Sequence, residues 1–382
     1  MPAAQITPVQ LSLLQACLAP GDGIEPHWRA WRGQAELDSL DEASNRLLPL
    51  LYRRLEAAGL NDPDMARLRG IYRYHWCRNQ LLLAELRRLL AALRELGVEV
   101  LLLKGAALIQ RHYRDPGIRP MSDLDIMVRP GDMDTVFGLL QERGWQPKVR
   151  AELEQMRTRR LLHAVDFRRD WNGRVLEIDV HWTPLHRSTW PGAEKAFWAR
   201  SLATSVDGIA CRILDPTDQL LHTCLHGGAW NVMPPLRWVA DACHILRDDA
   251  AAIDWERLVA DAHRHHGFLM LREALACLHE VFAAPVPPAL LRQLLAARPS
   301  RAERLEHGLQ TRQIAAARID QLLLLEWFNH SRAYQRTALL ARLADFPAYL
   351  KLSWKLEHWH QVPGFVVRRL AARLGDKAHR FR

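Results

Sequence analysis

Asp123 and Asp125 stand two apart in Ser122–Val128 (SDLDIMV), among the apolar residues Leu124, Ile126, Met127 and Val128. Alternate side chains of a strand leave the sheet on one face, so both carboxylates would emerge side by side. Neighbouring buried anions repel, and they require protons, cationic partners or a metal. A hard divalent ion, Mg²⁺ or Mn²⁺, takes carboxylate oxygens and leaves room for substrate phosphates. Asp-x-Asp also arises in solvated turns and at helix N-caps, but Asp is depleted within strands. Val175–Trp182 (VLEIDVHW) repeats the anomaly, with Glu177 and Asp179 on one face and Leu176, Ile178 and Val180 on the other. Glu177 reads equally well as an exposed strand position. Two such strands converging on one cation cluster would make a phosphate-handling site.

The elements that position these residues follow from local pattern. Residues 1–97 read as a helical N-terminal segment: Leu47–Leu55 and Tyr72–Leu96 carry apolar residues at three- and four-residue spacing, and Gly97 is a helix stop. Strand, helix, strand and helix then alternate over Val98–Leu103, Ala106–Tyr113, Asp123–Val128 and Asp132–Arg143, with Gly144 as a C-terminal cap. Val165–Arg169 and Val175–Trp182, joined through DWNG, predict an antiparallel hairpin with an Asn-Gly turn. Residues 98–184 thus read as an α/β core with a mixed sheet of four or five strands. Beyond Pro184 the strand signal fades; Asp215–Gly227, Leu236–Arg247 and most of Trp255–Leu374 predict helices. Asp215 or Thr217 caps the first of these. The expected fold class is α+β: a small sheet flanked by the N-terminal helices and by a helical C-terminal domain, 185–382, ending in a basic tail.

A chain of 382 residues exceeds the size of a single hydrophobic core, so two or three structural units are expected. Every apolar run is broken by Arg, His or Glu before it could span a membrane, and the N-terminus lacks the pattern of a secretory signal. Six cysteines without Cys-x-x-Cys spacing argue against a zinc site or a disulfide framework and suit a reducing cytoplasm. The net charge of +9 is compatible with nucleotides, nucleic acid or anionic lipid. Part of the excess lies in Arg368, Arg369, Arg373, Lys377, Arg380 and Arg382, either a solvated helix end or a patch for an acidic or nucleic-acid partner.

Taken together, Leu103-Lys104-Gly105, the run from Arg119 to Asp125, and Asp179-Val180-His181-Trp182 resemble the nucleotidyltransferase-fold superfamily, and within it the bacterial group of uncharacterised nucleotidyltransferases. The similarity extends through Leu214–Leu246 and covers roughly residues 45–250. The resemblance implies metal-dependent transfer of a nucleoside monophosphate from an NTP, ATP being the first candidate, to an acceptor that could be a protein, a small molecule or an RNA end. It assigns Asp123, Asp125 and Asp179 as catalytic residues and ligands of Mg²⁺ or Mn²⁺, with Asp179 also a candidate to deprotonate an acceptor hydroxyl. It implies substrate binding by Lys104, Gly105, Arg119, Ser122, His181, Arg237 and Asp241, Lys as a point charge and Arg as a bidentate phosphate partner. The turn at Gly105 would offer helix N–H groups to the phosphates. Ala106 departs from the Ser or Gly that usually follows this glycine and removes a hydroxyl.

Other residues carry competing readings. Trp182 fits core packing. Arg237 and Asp241, four apart on a predicted helix, fit an intrahelical ion pair or the wall of a base or acceptor pocket, and Asp218 and His222 share that ambiguity. His263, His265 and His266 read as a solvated helix end. Two rivals to the enzymatic reading stand: a catalytically inactive binding or regulatory protein of the same fold, and a nucleotide-sugar glycosyltransferase using Asp-x-Asp.

Overall fold

The computed structural model describes residues 6–19, 23–148, 162–171, 173–186, 188–228, 236–310, 319–333, 339–354, 356, 358 and 360–367. The basic tail from Arg368 onward lies outside them. Five helices open the chain: α1 (Pro8–Leu18), α2 (Ile24–Arg32), α3 (Glu42–Asn45), α4 (Leu48–Ala57) and the long α5 (Met65–Glu95). Thr7 and Gln10 form a reciprocal cap that satisfies free N–H groups at the start of α1. In the C-terminal half of α5, Leu82, Leu86, Leu89, Leu90 and Leu93 repeat at helical spacing and are buried. The helix stops at Gly97, which takes a left-handed φ of 73°. There Gly97 N–H donates to Arg94 and Val98 N–H to Leu93, so two carbonyls that lack helix partners are satisfied.

The α/β part runs β1 (Leu101–Leu102), α6 (Lys104–Leu108) continuing as a π-helical turn over Ile109–Tyr113, β2 (Leu124–Met127), α7 (Met133–Glu142), β3 (Gln146–Pro147), β4 (Ala164–Trp171) and β5 (Arg174–His181). Then come α8 (Lys195–Arg200), β6 (Leu202–Val206) and β7 (Ile209–Ile213). The seven strands form one mixed sheet in the order β3-β4-β5-β2-β1-β7-β6. β2 runs parallel to β5 and β1 parallel to β7; the remaining pairs are antiparallel.

The class is α+β as the sequence predicts, but the sheet is larger than the expected four or five strands. The β6–β7 hairpin lies beyond Pro184, where no strand was expected. Its turn is Asp207-Gly208, both left-handed (φ 47° and 79°), the chemistry of a tight hairpin. The flanking strands are short and hold Ala, Thr, Ser and Arg, so alternation there is weak while the turn residues are strong.

Helices complete the described chain: α9 (Pro216–Gly228), α10 (Arg237–Asp249), α11 (Trp255–Arg264), α12 (Phe268–Phe282), α13 (Pro288–Ala296), α14 (Arg301–Gln310), α15 (Ile319–Ala333) and α16 (Leu339–Ser353). Asp215 begins α9, accepting the Asp218 N–H at 2.8 Å. One sheet face, with Leu102, Leu124, Ile126, Phe167, Ile178 and Val180, packs on α5 and α7, and Trp182 is buried in the same core. The other face gives Leu101, Leu103 and Met127 to a larger core shared by α1, α2, α4 and α8 to α13. No helix among the described residues is long and apolar enough to cross a membrane, and the six cysteines are unpaired.

Candidate active site

Strand register builds the site. Parallel pairing sets Asp125 of β2 directly against Asp179 of β5, and Met127 against His181. On the other side of β5, Asp166 of β4 is opposite Asp179. Three carboxylates therefore stand in a row across adjacent strands, on the face turned toward the larger core. Leu103 N–H donates to the Asp125 carbonyl at 3.0 Å, which brings the turn into α6 alongside β2. Lys104 adopts a left-handed φ of 43°, unusual without a glycine, and its Nζ donates to Asp125 Oδ1 at 2.6 Å. His181 Nε2 lies 3.2 Å from the same oxygen. A Cβ on Gly105 would fall 2.8 Å from Arg119 Nη1 and from Met121 Cγ and Sδ. Glycine is needed there by close approach.

These groups perturb one another. Burial alone would raise the Asp125 carboxyl, yet Lys104 and His181 outweigh it and hold this group well below the ordinary range. Asp179 goes the other way: burial, then the charges of Asp125 and Asp166, push it up to about 8. Asp123 is raised by burial and by Asp125, and Ser122 Oγ donates to it at 3.0 Å. Burial lowers His181. The cluster holds more negative charge than its cations balance, which is the condition a divalent ion relieves. Donor atoms of Asp125, Asp179 and His181 lie within 4.8 Å of one another. Asp123 falls outside this compact group, at the entrance to β2. The expected trio is thus split: its second and third members converge with an imidazole, and its first faces the neighbouring cavity.

That cavity, about 520 Å³, lies between the sheet and α9, α10 and α12, and Lys104, Gly105, Arg119, Ser122, Asp123, Asp125, His181, Arg237 and Asp241 all reach it. Asp179 does not line it. Glu177 instead pairs with Lys148 at 3.1 Å, as an outlying strand position would.

The predicted intrahelical pair of Arg237 with Asp241 does not form. Arg119 Nε and Nη2 each donate to Asp241 at 2.8 Å, and Tyr113 Oη donates to it at 2.8 Å. Arg237 donates to the Pro120 carbonyl. Burial, together with the charge of Arg119, lowers the Arg237 guanidinium to about 10. The reason is geometric: the loop before β2 brings a bidentate partner to Asp241, and a forked pair outcompetes a helical one. Arg119 is thereby a strut between β2 and α10, with only Nη1 left beside Gly105. Asp218 turns away from the cavity toward Arg200 and Arg257, at 2.8 and 3.3 Å.

Sequence reasoning left His222 between an ion pair and a pocket wall and did not foresee that imidazoles gather on the cavity. His163, His222, His226 and His265 line the cavity. Burial, with neighbouring charge, drives His163 and His222 well below the usual imidazole range and His226 to about 3. His181 Nδ1 and His222 Nε2 are buried without a hydrogen-bond partner among the described residues. The His222–His226 spacing of four on a predicted helix was the available signal. The solvated helix end expected at His263–His266 is only partly so. His265 is 4% exposed, 2.6 Å from Ser188 Oγ and stacked on Trp190.

A profile of the family described as "uncharacterised nucleotidyltransferase" matches residues 43–283, more than half of the chain. Among solved structures, an antigenic nucleotidyltransferase-like protein from Paracoccidioides brasiliensis is similar over 56% of this chain and 96% of that chain, at 13% identity and a TM-score of 0.37. No curated protein matches. On the extent of the profile match, the chain belongs to the uncharacterised nucleotidyltransferase family.

Proposed function

We propose that this family member moves a nucleoside monophosphate from an NTP, ATP being the first candidate, to a hydroxyl-bearing acceptor, with Mg²⁺ or Mn²⁺. One observation carries the reading: Asp125 and Asp179 face each other across paired strands, with Asp123 nearby and Lys104 bonded to Asp125. Asp125 and Asp179 would hold the ion, with Asp123 on the cavity side. Because hard ions prefer oxygen, His181 is best read as the hydrogen-bond partner that orients Asp125. When bound, such an ion neutralises phosphate charge during in-line displacement at phosphorus.

The remaining residues act on the substrates. Lys104 lies on the cavity wall and can trade Asp125 for a phosphate oxygen. Arg237 has no carboxylate partner among the described residues, and its charge supports the triphosphate from α10. Arg119 Nη1 and Ser122 line the same wall. Once a bound ion supplies the positive charge whose lack keeps Asp179 protonated, this carboxylate would receive the proton of the acceptor hydroxyl as the new P–O bond forms and pyrophosphate departs.

The test is incubation of the protein with each labelled NTP and fractionated cell extract, with and without Mg²⁺. The expected result is a labelled acceptor that requires the ion and disappears in Asp123→Asn, while the variant melts like the parent. Labelling that survives Asp123→Asn would remove that residue from the chemistry. Failure of Mg²⁺-ATP to bind by calorimetry would favour the inactive binding protein, a reading prompted by Ala106 after Gly105.

A further inference from the structure

We propose that the part of the cavity walled by α9 and α12 seats the nucleobase of the NTP, and that His265 is the residue that reads the base. The NTP as substrate is taken from the transferase reading above; the seat says where its base is held. In that reading the phosphates lie with Lys104, Gly105 and Arg119, beside Asp125. Elsewhere the wall changes character: Leu185, Leu225 of α9 and Met270 of α12 line it together with His222 and His265. The charges of Lys104 and Asp125 act on His222, whereas the groups that act on His265 are Arg264, His266 and Arg200. His265 is therefore the member of this wall set apart from the phosphate-binding group.

The surroundings of His265 fix its ring. It is stacked on Trp190 and packed against Phe197, with 5.4 Å between the latter centroids. Ser188 Oγ, fully buried, lies 2.6 Å from Nδ1. A hydroxyl carries one hydrogen, and Nδ1 is the one hydrogen-bond partner of this oxygen among the described residues. Ser188 therefore donates, and the hydrogen of the ring stands on Nε2. Nε2 has no partner among the described residues and is left for a ligand. Burial, followed by the charge of Arg264, lowers His265 to about 3, so the ring is neutral and a phosphate gains no ion pair from it. His222 adds a second nitrogen: it is 2% exposed, and its Nε2 is buried without a partner among the described residues. Buried polar atoms are ordinarily satisfied, and a ligand in the cavity would satisfy this one.

A neutral N–H donor and a second ring nitrogen, set among aliphatic side chains, suit a flat heteroaromatic ligand. Every nucleobase offers a ring nitrogen or a keto oxygen to such a donor. The acceptor is the poorer occupant, because Asp179, which takes its proton, does not line the cavity.

The experiment is titration calorimetry of the full chain with the Mg²⁺ complexes of ATP, GTP, CTP, UTP and inorganic tripolyphosphate. At least one NTP is expected to bind about tenfold or more tightly than tripolyphosphate. His265→Phe keeps a ring against Trp190 and Phe197 but removes the N–H. It should weaken that NTP about tenfold, the worth of one hydrogen bond, and leave tripolyphosphate unchanged. His265→Gln restores a side-chain N–H and should recover most of the loss. His222→Phe should cost about threefold or more with the same selectivity, and it carries the test if His265→Phe melts early. Tripolyphosphate binding as tightly as every NTP overturns the seat. So does weakening of NTP and tripolyphosphate alike, or indifference of both to the substitutions. Transfer from labelled NTP in extract is assayed separately at subsaturating nucleotide. Transfer and NTP binding that His265→Phe leaves untouched overturn this inference alone. Selective loss of NTP binding in that variant, with no transfer by the parent to any acceptor, upholds the seat and overturns the enzymatic reading.

Discussion

Asp241 and Asp179 are both carboxylates withdrawn from water in the same protein, and they differ in every partner that matters. Asp241 is saturated by the fork of Arg119 and the hydroxyl of Tyr113, and these hold it in its ionised form. Asp179 is flanked by Asp125 and Asp166 instead, and its proton is retained up to about pH 8. The first arrangement is complete and joins β2 to α10. The second has no ion pair to Asp179 among the described residues. Burial is therefore no guide to function in this fold, whereas local charge balance separates the strut from the site.

The contrast can be broken by exchanging charge at each place. Asp179→Asn should cost at least about three orders of magnitude in transfer rate, roughly 4 kcal/mol of barrier, while the unfolding temperature holds or rises because repulsion by Asp125 and Asp166 is relieved. Asp241→Asn should do the reverse, costing about 3–5 kcal/mol of stability by leaving Arg119 buried without a counter-charge. Parallel activity and denaturant measurements check both, and equal stability losses would erase the distinction. Gly105→Ala sharpens it at the point where site and strut touch. Its methyl group would press on Arg119 and Met121, and about 1–3 kcal/mol of destabilisation is expected.

The smallest effect is in pH. Asp179 is raised in the folded state, so between its unfolded value near 4 and about 8 the folded protein binds the extra proton and stability declines as pH increases. Above about pH 7 ordinary histidines are neutral, and the buried ones, shifted further down, add nothing to the slope. Without metal, the melting temperature should therefore fall from pH 7 toward 8. Asp179→Asn or saturating Mg²⁺ should flatten that fall; a slope unchanged by either would assign it elsewhere.

How much of this was legible depended on range in sequence. The shared side of Asp125 and Asp179 follows from strand parity, because an alternation of two needs no tertiary knowledge, whereas Asp123 lies just before β2 and outside their group. The Lys104-Gly105 turn was legible as a motif, but the crowding of Arg119 and Met121 that demands the glycine was not. The partner of Arg119 lies 122 residues away, and the local pattern offered Asp241 a nearer cation in Arg237. His222 and His226 were hidden for the same reason: both sit on α9, whose cavity side looks ordinary until the sheet is placed opposite. The β6–β7 hairpin was legible in Asp207-Gly208, although its strands were not.

The bond between Arg119 and Asp241 also sets an order in time. A chain made from its N-terminus exposes Asp123, Asp125 and Asp179 well before the helix carrying Asp241 exists. Until that segment emerges, the loop bearing Arg119 has nothing to clasp and the cavity has no roof. The acidic rim is thus made early and the cavity beside it enclosed late, once α10 has been made.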